Sequence, residues 1–189
     1  QKYKDLIRIN ISEIATSYNL IINGLMHNDM AKLEKAYFIL KELEVHSLQV
    51  RTKSIKYLKS LQTNDSQTAE VIVFSSDFIQ DLSHSTTSLS NEVYFYVKNL
   101  HEISDKKFLK DNLRMMEKAT DFMEKYINHI MGKEEKIDVV RMQLEKDYNY
   151  KERDEIYKHN SYDLWEMNEG VHLYSVCAIY GAFHSMIEI

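Results

Sequence analysis

Apolar side chains recur about once per helical turn along most of this chain, and polar turns interrupt the pattern at a few points. Between residue 3 and about residue 26, Tyr3, Leu6, Ile7, Ile14, Tyr18, Ile21, Ile22 and Leu25 form a stripe of helical period that slides slowly round the helix. His27-Asn28-Asp29 then supplies a capping turn. From Met30 to about Leu61, the positions Leu33, Tyr37, Leu40, Leu43, Leu48, Ile55, Leu58 and Leu61 continue the stripe. That segment reads either as one long helix or as two with a break near Val45-His46-Ser47.

A polar turn at Gln62-Thr63-Asn64-Asp65-Ser66 precedes a third helical run from Gln67 to about Glu102. Within it, Val93-Tyr94-Phe95-Tyr96-Val97 is β-branched and aromatic, so a short strand competes with helix there, although the flanking pattern favours helix. Ser104-Asp105 caps a fourth helix carrying Leu109, Leu113, Met116, Met123, Ile127 and Ile130, the cleanest amphipathic stripe in the chain. Gly132 ends it, and a fifth, highly charged helix is expected to begin between Lys133 and Lys136. After Asn160-Ser161 a last helix runs to the C-terminus through Leu164, Trp165, Val171, Tyr174, Val176, Ile179, Tyr180 and Phe183, apolar over a wide arc. The expected fold is all-α, an antiparallel bundle of about five or six long helices in one domain over residues 1–189.

Composition supports long helices, because the chain has no proline and only 4 glycines. A charged fraction of 28% and an apolar fraction of 44% are ordinary for a globular protein and argue against disorder. The net charge of −5, without a concentrated basic face, argues against a nucleic-acid partner. No window approaches the run of about 20 apolar residues that spans a bilayer, so no membrane span is expected in this segment. One cysteine, Cys177, cannot form an internal disulfide, which favours a reducing compartment. Gln1 is not an initiator Met, and the apolar pattern begins at Leu6, which suggests a fragment of a longer protein. Wide apolar arcs on the first and last helices make a homodimer an expectation.

Two clusters could carry metal chemistry. Asp77, Asp81 and His84 lie four and three residues apart, on one face of the third helix. Glu166, Glu169 and His172 share a face of the last helix. A carboxylate and an imidazole at i and i+3 are how helical bundles hold paired iron or manganese ions, and the spacing occurs in both clusters. Glu13, Glu42, Glu70 and Glu124 are further carboxylates that a di-metal site would draw on, though nothing in the sequence selects them. With 29 acidic residues and 8 histidines, such pairs also arise by chance on solvated faces. Other chemistry is poorly represented: Cys177 sits in an apolar run typical of an inert core thiol. Ser83 and Ser85, adjacent to His84, point elsewhere on a helix. The 13 tyrosines follow the apolar stripes as core-edge residues.

The stretch from Gln67 to Ser85, with Asp77, Asp81 and the His84-Ser85 pair, resembles the third helix of the PhoU-like cytoplasmic region of the bacterial sodium/phosphate cotransporter family. Asn28 to Ala36 is similar to the turn opening the preceding hairpin, and Tyr162 to Glu169 is similar to the start of the final helix, including its Asn168-Glu169 pair. The resemblance implies two three-helix units in a non-catalytic regulatory domain. It also implies a cytoplasmic place, membrane-associated through a transporter domain of the same or another chain. PhoU proteins hold metal clusters through an acidic residue followed four positions later by Asp, and Asp77-x-x-x-Asp81 matches that motif. Glu166, Glu169 and His172 have a different spacing. Three readings therefore stand: a PhoU-like regulatory domain, a metal-binding bundle with iron or manganese, and a scaffold that binds a partner helix.

Overall fold

A computed structural model describes residues 2–60, 66–99, 106–130 and 138–159. Five helices make up the described chain: α1 (Lys2–His27), α2 (Met30–Ser60), α3 (Ser66–Lys98), α4 (Lys106–Ile130) and α5 (Val139–His159). No strand occurs among the described residues. The possible strand at Val93–Val97 is helical, because Leu89, Val93 and Val97 carry the α3 stripe into the core at intervals of four.

At the centre lies α1, which packs against α2, α3 and α4. Its buried positions Ile7, Ile11, Ile14, Tyr18, Ile21 and Leu25 alternate spacings of four and three, the seam of a coiled coil. Tyr18 is fully buried, unlike the core-edge place expected of tyrosines. The apolar arc of α1 is thus consumed by the core, and what it leaves exposed, Ile9 and Met26, is scattered.

The α1–α2 junction is a Schellman turn. Asn28 adopts a left-handed φ of 49°, and the Asp29 amide donates to the Gly24 carbonyl at 2.9 Å. Asp29 then caps α2, its Oδ1 accepting from the Lys32 amide at 3.3 Å. Gly24 is required by close approach: a Cβ there would stand 2.4 Å from Leu33 Cδ2, and Leu33 is fully buried.

Helix α2 runs unbroken through Val45-His46-Ser47, because Leu40, Leu43, Val50 and Ser54 stay in register on its buried face across that point. Against it and α1 packs α3, whose buried face mixes Phe78, Ile79, Leu82 and Leu89 with Ser75, Ser83, Thr86 and Ser90. Small hydroxyl residues let backbones approach, and Thr86 satisfies its hydroxyl by donating to the Leu82 carbonyl at 2.7 Å. Together α1, α2 and α3 touch pairwise and enclose most of the described core.

Met115, Ala119 and Phe122 are buried on α4, which packs on α1, and α5 packs on α4. The fifth helix is described from Val139, and its expected start between Lys133 and Lys136 lies outside the described residues. Asp138 lies outside the helix as its cap, with Oδ1 accepting from the Arg141 amide at 3.0 Å. The expected last helix, from Tyr162 onward, lies outside the described residues, as do the caps Ser104-Asp105 and Gly132.

Candidate functional site

The helical period of α3 sends Phe78, Ile79 and Leu82 inward and leaves Asp77, Asp81 and His84 on its solvent face. Those three fall within an arc of about 60° at about 100° per residue, so the sequence places them on one face and the structure agrees. Ser83 and Ser85 are buried, each turned about 100° round the helix from the exposed His84, so they form no relay with it. Glu166, Glu169 and His172 lie outside the described residues, and so does Cys177.

Among the described residues, no three His, Cys, Asp or Glu side chains come together in a group that could hold a metal ion. The further carboxylates considered from sequence are dispersed: Glu42, Glu70 and Glu124 are exposed, and Glu13 Oε2 lies 3.8 Å from His46 Nδ1 at the α1–α2 surface. What the described part of the α3 row can do is present two carboxylates and an imidazole to solvent or to a partner. A resident iron or manganese ion would need ligands from elsewhere in addition.

A second polar region lies between α4 and α5. Glu152 is only 9% exposed, yet its carboxylate is held by two cations. Arg114 donates to Oε1, and Lys118 Nζ donates to Oε2 at 2.8 Å. The Lys118 ammonium also stands 5.0 Å from the Tyr148 ring centroid. Beside this clasp opens a cleft of about 520 Å³, lined by Lys118, Asp121, Phe122, Lys125, Arg141, Leu144, Glu145, Tyr148 and Asn149. Asn149 is 4% exposed, and its Oδ1 has no hydrogen-bond partner among the described residues. Arg141 is engaged by Glu145 at 3.0 Å, and Lys118 by Glu152. Two of the three cations that line the cleft are thus engaged by carboxylates, while no carboxylate holds Lys125 among the described residues.

This clasp was invisible in the sequence, where Arg114, Lys118 and Glu152 look like any charged residues on amphipathic helices; a separation of 34 residues between Lys118 and Glu152 carries no periodic signal. Comparison with protein-family models, with curated proteins and with solved structures finds no match to this chain. No helix among the described residues is long and apolar enough to cross a membrane.

Proposed function

We propose that this chain is a non-catalytic regulatory and interaction domain of the PhoU-like kind, serving sodium/phosphate transport from the cytoplasmic side. The observation that carries the reading is the α3 row. Asp77-x-x-x-Asp81, followed by the His84-Ser85 pair, lies in the stretch that resembles the PhoU-like third helix, and the row faces solvent on the third helix of a three-helix unit. A regulatory contact needs side chains that are free to meet a partner, and buried acids would not serve. The junction of α1 with α4, and of α4 with α5, is compatible with the start of a second unit. Its partner in this reading is a membrane transporter domain of the same or another chain.

The test is phosphate uptake in cells whose parent protein carries Asp77→Asn and Asp81→Asn together. Altered uptake control with unchanged protein level is expected. If uptake and its response to phosphate supply stay the same even when the whole domain is removed, the reading fails.

The alignment of Asp77, Asp81 and His84 also keeps the metal-binding bundle as a second reading, with Glu166, Glu169 and His172 completing an iron or manganese site. Elemental analysis of protein purified without chelator decides it. Stoichiometric metal lost in Asp81→Ala and Glu169→Ala is expected on that reading, and substoichiometric metal indifferent to both substitutions removes it.

A further inference from the structure

Helix α2 is apolar on two sides. One face is buried through Leu33, Leu40, Leu43 and Val50, whereas Phe38 (64% exposed), Val45 (60%), Leu48 (65%) and Ile55 (47%) stand in solvent. These four fall at spacings of seven, three and seven, which is the a and d pattern of a heptad repeat extending over about 26 Å of helix. Exposed apolar residues scattered singly need no explanation, but four large ones in heptad register on one outer face of a folded bundle, interrupted at Lys41 and Thr52, do.

The seam is its own mirror in sequence. Taking the midpoint between His46 and Ser47, Val45 is as far before it as Leu48 is after it, and Phe38 matches Ile55 in the same way. The remaining a and d positions are polar: Lys41 stands opposite Thr52, and at the ends the acid Glu34 stands opposite the base Lys59. When two identical helices pack antiparallel, a positions of one face d positions of the other, so each of these pairs becomes a contact made twice about the two-fold axis. Along the flank, Glu44 meets Arg51 of the second copy, again twice, and both residues are exposed and available. Lys35 and Lys56 are like-signed across the outer edge, where long side chains diverge into water and the cost is small.

We propose that α2 is a dimerisation helix: a second copy of this chain packs its own α2 antiparallel along the Phe38–Ile55 seam, on a two-fold axis between His46 and Ser47. The opposite-charge pairs Glu34–Lys59 and Glu44–Arg51 favour a second copy, since a partner of different sequence would not require them. The helix is already formed by its packing on α1 and α3, so pairing does not carry the cost of ordering it. This stands apart from the transport reading, since none of the substitutions below touches Asp77, Asp81 or His84.

The test uses the full 189-residue chain in sedimentation equilibrium across micromolar concentrations. A monomer–dimer equilibrium is expected, abolished by Leu48→Asp with the helical circular dichroism unchanged, since Leu48 is exposed. Glu44→Arg or Arg51→Glu alone weakens the dimer about tenfold by placing like charges across the seam twice, and the two together restore it. Direction is read by spin labels in a Cys177→Ser background. Antiparallel packing separates labels at Gln49→Cys by about 8 Å along the axis and labels at Ala31→Cys by about 45 Å. A chain that stays monomeric, a dimer indifferent to Leu48→Asp, a double reversal that fails to restore association, or equal distances at the two label sites overturns the proposal.

Discussion

The α1–α2–α3 unit and the α4–α5 pair are both built from amphipathic helices, yet they are held by different forces. In the first, α1 contributes a seam of Ile7, Ile11, Ile14, Tyr18, Ile21 and Leu25 that is almost completely removed from water, and α3 closes on it with small hydroxyl residues. In the second, among the described residues, Met142 alone carries α5 into the core cluster with Ala119 and Phe122, and Glu152 is held by Arg114 and Lys118 beside an open cleft, while Val140, Leu144 and Tyr148 of α5 remain exposed. The comparison separates a core that resists change from a contact that can rearrange. Apolar burial scales with area and is not screened by salt, whereas a clasp between half-exposed cations and one buried carboxylate is.

The widest separation between the two regions is expected from core truncation. Ile14→Ala or Leu82→Ala should each cost about 2–5 kcal/mol, measured by urea unfolding, because both sites are enclosed and cannot collapse freely. A loss under about 1 kcal/mol at both would show that the three-helix unit is not the stable half.

Next comes the close approach at the first hairpin. Gly24→Ala should cost about 1–3 kcal/mol, because the added methyl meets Leu33, which is fully buried and must shift within the core. In a double-mutant cycle, Gly24→Ala should cost less in a Leu33→Ala background than in the parent chain, which distinguishes a clash from a general effect on the turn.

In the α4–α5 clasp the cost should depend on which partner is removed. Arg114→Ala with Lys118→Ala leaves a buried carboxylate unpaired and should cost about 1–3 kcal/mol, whereas Glu152→Leu releases two cations that reach water and should be near neutral, within about 1 kcal/mol. Hydrogen exchange resolved to α5 is the suitable readout, since the α1–α3 amides should keep their protection in both variants. Equal losses on the two sides would mean that the clasp is not organised around the burial of Glu152.

The smallest effect belongs to the α3 row. Asp77→Asn, Asp81→Asn and His84→Ala should each shift stability by no more than about 0.5 kcal/mol, as solvent-facing positions without a structural role do. That near-neutrality makes them clean probes of partner or metal binding. A thermal scan showing a loss well beyond it would place the row in the structure and not in the function.

Much of the fold could be read directly from periodicity. The limits of α1 and α2, the turn at Asn28-Asp29 and the inward face of α3 all follow from side chains repeating every three or four residues, a local rule that each helix obeys without its neighbours. Asp77, Asp81 and His84 share a face for the same reason. Two points needed more than local pattern. The possible break at Val45-His46-Ser47 is absent because Leu43 and Val50 both find core on α2, and the start of α5 is set by Asp138 capping Val139 onward.

By itself, then, the order of residues determined that this chain is helical, roughly where each helix lies and which side chains share an edge, since those are consequences of backbone geometry and the aversion of apolar groups to water. Only the tertiary arrangement decided which apolar stripe is spent in the core and which is left outside. The stripes of α1 and α2 look alike when written out, but a helix surrounded by three neighbours buries its seam, whereas one at the edge of the bundle keeps a second face in solvent. The meeting of Glu152 with Arg114 and Lys118 was decided in the same way, because pairing between distant helices depends on how they pack and leaves no periodic trace along the chain.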